Sequence, residues 1–212
     1  MKMLFYLLMG LLPFTLNADE KKVPFSVSVD FSKKGTVYET DFKTPWNIWG
    51  STISFDLYIT YGKGYTQRTE EERRIYDYIQ YGNRSGKTLP EGLKDNQYFK
   101  LKATLTPLGW ASNKIKVSTI DYSKISIGET NFSWMHKDGT WQRKIYQDDE
   151  KIEFIINIPL YDGYTGTGGK YIMLADLQRL RNYHIKVESL EDVELPEGVT
   201  TKFAIDGHST KH

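Results

Sequence analysis

From Pro24 onward the apolar residues recur at every second position, and a period of two dictates strands rather than helices. In "FSVSVDFS" the side chains of Phe25, Val27, Val29 and Phe31 share one face, and Ser26, Ser28 and Asp30 share the other. The same phase returns as Ile53, Phe55, Leu57, Ile59 and Tyr61 in "STISFDLYITY", and as Phe99, Leu101, Ala103 and Leu105 in "YFKLKATLTP". It returns again as Ile152, Phe154, Ile156, Ile158 and Leu160 in "KIEFIINIPL". Weaker strands are expected over 36–42, 114–120, 183–189 and 199–205. Residues 131–146 read as a hairpin turning at Asp138-Gly139, with Trp134 and Trp141 as a cross-strand aromatic pair. Strands with one buried and one wet face belong to antiparallel sheets. The expected fold is therefore all-β, an antiparallel sandwich of the jelly-roll or immunoglobulin-like kind.

One segment departs from that period. In "RTEEERRIYDYIQYGN", Thr69 and Glu72 have the spacing of a capping box, three glutamates fill the first turn, and Gly82 is placed to end a helix. Ile75, Tyr78 and Ile79 fall on one face, so one short capped helix over about 70–81 should lie across a sheet or close one end of the sandwich. The polar connection from Gly82 to Gln97 is long for a compact domain, a length typical of functional or mobile loops.

The first residues combine Lys2, an apolar run from Met3 to Leu12, a break at Pro13 and the small Ala18, which is the pattern of a signal peptide. The run is shorter than the roughly 20 residues of a membrane span. Residues 1–18 are expected to be cleaved, leaving a single sandwich domain over 19–212. Cleavage removes one of the 28 basic residues and balances the rest against the 27 acidic ones. No net field then favours nucleic acid or an anionic membrane. The chain has no Cys, so neither disulfides nor a thiol-linked lipid is expected. A soluble periplasmic or secreted protein, without a stable membrane anchor after cleavage, is the expectation.

The stretch "YDGYTGTGGKYI" carries a Gly-Gly-Lys, yet Tyr164 stands where a phosphate loop needs its first Gly, and Tyr171 where it needs Ser or Thr. It reads instead as a glycine-rich surface loop presenting Tyr161, Tyr164 and Tyr171. His136, His184, His208 and His212 lack zinc spacing, and Asp148, Asp149 and Glu150, alone or with Asp162, lack the spaced ligands of a calcium loop. No nucleophile elbow, Cys nucleophile or marked carboxylate pair is present. Catalytic residues, metal and cofactor are all expected to be absent, and the protein is not expected to be an enzyme.

Trp46 and Trp49 in "TPWNIWGS", and Trp110 after Pro107-Leu108-Gly109, stand in turn-like segments between strands. Large rings there either fold inward to cap the core or serve as anchors for a partner. Trp46, Trp49, Trp110, Tyr161, Tyr164 and Tyr171 are the candidate partner-binding residues.

Two stretches, one running from "TEEERRIYDYIQYGNRSGKTLP" into "YFKLKATLTPL" and the ending "YHIKVESLEDVELPEGVTTKFAIDGHSTKH", resemble the bacterial domain-of-unknown-function 5625 family. The resemblance implies an exported or lipid-anchored single domain spanning Pro24 to His212, although this chain lacks the Cys of lipid-anchored members. It also implies a partner protein, as for immunity proteins that neutralise toxins delivered by rival bacteria. The expected function is a non-catalytic periplasmic binding protein whose partner is another protein, with a carbohydrate- or cell-envelope-binding module as the alternative.

Overall fold

The computed structural model describes residues 21–46, 52–81, 89–91, 93–94, 97–111, 115–120, 143–148, 151–160 and 169–207. Along the chain these form β1 (Lys21–Lys22), β2 (Phe25–Ser28), β3 (Val37–Lys43), β4 (Thr52–Tyr61), α1 (Glu70–Tyr81), β5 (Tyr98–Leu108) and β6 (Ile115–Ile120). Then come β7 (Arg143–Asp148), β8 (Ile152–Pro159), β9 (Gly169–Asp176), β10 (Asn182–Ser189) and β11 (Val199–Gly207).

Two sheets result, in the orders β1-β3-β10-β5-β8 and β2-β11-β4-β9-β6-β7. Every pairing is antiparallel except that of the two-residue β1 with β3. Set aside β1 and the β6–β7 pair, and each connection from β2 to β5 and from β8 to β11 crosses from one sheet to the other. The orders β2-β11-β4-β9 and β3-β10-β5-β8 are those of a jelly roll. An immunoglobulin-like sandwich would place sequential strands side by side within one sheet. β6 and β7 extend the six-stranded sheet beyond β9. Arg143–Asp148 pair with β6, while Trp134, Trp141 and the turn expected at Asp138-Gly139 lie outside the described residues.

The inward rows obey the alternation. Ile53, Phe55, Leu57 and Ile59 of β4, Phe99 to Leu105 of β5 and Ile152 to Ile158 of β8 are all buried at every second position in one core. Phe42 of β3 meets Phe55 of the opposite sheet edge-on at 5.6 Å and stacks on Tyr183 of β10 at 5.8 Å. The helix begins as its capping box dictates. The Thr69 amide donates to Glu72 Oε2 at 2.7 Å and the Glu72 amide to Thr69 Oγ1 at 3.2 Å. Tyr78 and Ile79 bury the inner face of α1, and the guanidinium of buried Arg68 lies 3.9 Å from the Tyr76 ring and 5.0 Å from that of Tyr61.

The structure corrects one reading. Gly169, Lys170 and Tyr171 belong to β9 and not to a surface loop; Lys170 is buried opposite Leu57, and half-buried Tyr171 pairs with Asp56. Gly169-Lys170 opens a strand, whereas the Gly-Lys of a phosphate loop must open a helix. The period of two fails here because the register between β4 and β9 shifts at Phe55/Asp56, where a bulge inserts one extra residue. Gly169 has a packing reason: a Cβ there would lie 2.8 Å from the Tyr58 ring, which leans across it from β4. We expect Gly169→Ala to cost about 1–3 kcal/mol in urea unfolding by overpacking. The cost should shrink in the Tyr58→Ala background, where the ring is gone.

Candidate functional site

β3, β10 and β5 are neighbours in the five-stranded sheet, and Lys43, Asn182 and Leu108 share one register row. Each of these ends leads within three residues to a large exposed apolar side chain. Trp46 follows β3 and is 70% exposed, Trp110 follows β5 and is 93% exposed, and Leu180 precedes β10 and is 44% exposed. At about 4.8 Å per strand, three adjacent strand ends span roughly 10 Å. Neither tryptophan caps the core.

Local geometry holds these tips out. The Ala111 amide donates to the Leu108 carbonyl at 3.1 Å, closing a tight turn in which Gly109 has φ +58° and Trp110 occupies the tip. Leu180 has φ +54°, a left-handed conformation in which a residue as bulky as Leu is strained. Fully buried Thr44 over-determines that conformation. Its hydroxyl donates to the Gln178 carbonyl at 2.6 Å and accepts from the Arg181 amide at 3.0 Å. Its backbone accepts from the Leu180 amide at 3.2 Å and donates to the Arg181 carbonyl at 3.0 Å. The Gln178 amide in turn donates to the Tyr183 hydroxyl at 3.0 Å. One side chain thus ties the Trp46 connection to the Leu180 connection and both to the core.

Cations stand beside the Trp46 and Leu180 tips. Lys21 and Lys22 of β1, Lys43, Arg179 and Arg181 are all exposed at this end. Two carboxylates stand nearby, Asp41 paired with His184 Nδ1 at 2.7 Å and Asp176 accepting from the Thr52 hydroxyl at 2.8 Å, so the cations outnumber them. The result is an apolar triad in a basic rim on a chain whose formal net charge is only +1.

Of the six candidate partner-binding residues, the structure brings Trp46 and Trp110 to this end. Tyr171 is elsewhere, inside β9, and Trp49, Tyr161 and Tyr164 lie outside the described residues. Leu180 and Thr44 escaped the sequence reading. The signal for Leu180 was an apolar residue between Arg179 and Arg181 in a short strand connection; Thr44 gives none. Among the described residues no group of three or more His, Asp or Glu is placed to hold a metal.

The outer face of the six-stranded sheet holds a second unusual group. Asp56 alternates with the core residues of β4, so it faces away from the sandwich, yet it is only 5% exposed and accepts from Ser54 Oγ at 2.9 Å. Burial pushes its carboxyl up to about 7; the Ser54 hydrogen bond pulls it down and the charge of Asp206 adds to the rise.

Two consequences are measurable. Thr44→Val removes the hydroxyl that bonds the Gln178 carbonyl and the Arg181 amide in a part-buried site, and should lower the unfolding free energy by about 1–2 kcal/mol. For Asp56 the unfolded carboxyl titrates near 3.9. Between about pH 4 and pH 7 the folded chain keeps a proton that the unfolded chain has lost, so stability falls as pH rises and levels off above that window. Asp56→Asn cannot ionise. Relative to it, the wild type should lose stability, up to about 4 kcal/mol, between roughly pH 4 and pH 8 in urea unfolding.

No family model matches the chain, and no curated protein does. Among solved structures, a crystal structure of a protein from Sulfurospirillum deleyianum is similar at 14% identity and TM-score 0.46, covering 88% of this chain and 98% of that one. The 60-mer of BFDV capsid protein is similar at 8% identity and TM-score 0.27, covering 89% of this chain and 97% of that one. The decameric form of the same capsid protein stands at 12% identity and TM-score 0.25, covering 85% and 98%.

Proposed function

We propose that this chain is an exported, non-catalytic binding protein that docks an acidic partner protein through the end bearing Trp46, Leu180 and Trp110. The observation that carries the reading is the convergence of three neighbouring strand ends, each presenting one large exposed apolar side chain inside a rim of lysines and arginines. Aromatic anchors in a charged rim are the usual anatomy of an interaction hot spot. Their positions are set before binding, because Thr44 fixes the Leu180 connection and Gly109 sets the Trp110 turn, so little ordering entropy remains to be lost. The basic rim selects an acidic face on the partner and rejects a basic one. The family resemblance gives this partner a specific form, a toxin delivered by rival bacteria that the protein neutralises by covering it.

The alternative of a glycan platform on the same rings is less well supported. Leu180 sits between the two tryptophans in strand order and is aliphatic, so it offers no ring face for a sugar to stack on. A glycan array run with the wild type and with Trp110→Ala separates the two readings, because only sugar bound on these rings is lost in the variant.

The test begins with the wild-type chain from Asp19 to His212, used to capture a partner from envelope and toxin fractions, and proceeds to titration of the purified pair. Trp46→Ala and Trp110→Ala should each weaken that pair by about 2 kcal/mol, roughly 30-fold in dissociation constant. As surface changes they should leave stability within about 0.5 kcal/mol. Arg179→Glu with Arg181→Glu should slow association and weaken its salt dependence. A partner that binds all these variants as tightly as the wild type would sink the proposal.

A further inference from the structure

The outer face of the six-stranded sheet carries a groove of about 400 Å³ that the docking end does not use. It runs along β11 between β2 and β4, and its floor is Ala204, only 6% exposed. Ala204 pairs with Ser26 on one side and with Asp56 on the other, so one small side chain stands in a row of larger neighbours and leaves a depression. Lys202 and Asp206 stand on the same strand to either side of it, both exposed. Four steps along the strand separate them, about 13 Å at roughly 3.3 Å per residue.

Tyr58 of β4 forms the wall. Its ring leans over β9 into the space that a Cβ on Gly169 would fill, and it also borders the groove above Lys202, with which Tyr58 is paired. Glycine at 169 is what lets the ring adopt that position. The phenol shares its surroundings with two carboxylates: burial, then the charges of Asp56 and Asp206, raise its pKa. Thr60 and Ser26 add hydroxyls along the rim.

The lining decides the ligand class. A carboxylate and an ammonium in one groove disfavour a simple cation or anion, since each would meet a like charge. An aromatic wall with hydroxyl, amine and carboxylate groups along a 13 Å trough suits a neutral molecule with an apolar ring face and many hydroxyls. We propose that the groove formed by Ser26, Tyr58, Thr60, Lys202, Ala204 and Asp206 binds a saccharide of one or two rings. The sugar's C–H face rests on Tyr58, and its hydroxyls donate to Asp206 and accept from Lys202. This site is independent of the docking end, because it lies on the face of the opposite sheet.

The experiment is an amide-shift titration of the full mature chain, ¹⁵N-labelled, with glucose, N-acetylglucosamine, maltose, cellobiose and diacetylchitobiose. At least one sugar should produce saturable shifts at Ser26, Tyr58, Lys202, Ala204 and Asp206, with a dissociation constant of about 1 mM or lower. Ala204→Leu fills the floor and should weaken binding about tenfold or more, and Lys202→Ala, which removes an exposed side chain, should do so without disturbing the fold. Trp110→Ala should leave sugar binding unchanged. Silence of these amides toward the whole panel at about 20 mM, some twentyfold above the expected constant, would overturn the proposal. Shifts confined to the Trp46 and Trp110 tips and lost in Trp110→Ala would also overturn it, and would count against the protein-docking reading as well.

Discussion

Phe42 is the contact on which the rest depends. It is fully buried, spans the gap between the sheets to reach Phe55, and stacks on Tyr183 within its own sheet. With no Cys in the chain, nothing covalent can hold the sheets at this end, so ring packing must. The same stack anchors what lies above it. Thr44 comes two residues after Phe42 and so enters the layer where the strands end, and the Tyr183 hydroxyl receives the Gln178 amide from the facing connection. Two aromatic rings in the core and one hydroxyl at the rim thereby fix where Trp46 and Leu180 stand.

The jelly roll explains why those side chains meet at all. Its crossing connections alternate between the two ends of the sandwich, so the β3–β4, β5–β6 and β9–β10 connections depart from the same end although Trp46, Trp110 and Leu180 are far apart in sequence. An immunoglobulin-like order would distribute the same loops differently. Placement of the candidate site is therefore a property of strand order.

That is also why the sequence was only partly legible. Alternation reports which residues turn inward, so β4, β5, β8 and the capped helix could be read directly, with the helix bounded at Glu70 and Tyr81 by chemistry at Thr69 and Glu72. Alternation says nothing about which strand lies beside which. β9 was hidden twice: its first residue is a glycine in a glycine-rich stretch, and its bulge breaks the period where the strand would otherwise announce itself. The groove was hidden for a related reason. Ser54, Asp56 and Tyr58 occupy the phase of β4 that polarity marks as solvent-facing, yet Ser54 and Asp56 are buried. Leu180 had one sequence signal, its place between Arg179 and Arg181, but nothing in an apolar residue's identity reports the positive φ that holds it out.

Net charge misleads in the same way. Near-neutrality rules out a long-range field, and at physiological ionic strength fields decay within about 8 Å in any case. Within that distance the sum over the chain is irrelevant, and what matters is that the five cations Lys21, Lys22, Lys43, Arg179 and Arg181 are exposed at one end, where the carboxylates are Asp41, paired with His184, and Asp176. Such a rim speeds association only over the last Debye length of an encounter. On the docking reading proposed above, the rim would act on a partner already close, rotating an acidic face toward the tips and rejecting a basic one, and would leave the lifetime of the complex to the burial of Trp46, Leu180 and Trp110. On that proposal charge governs which partner is accepted, and the apolar triad governs how long it stays.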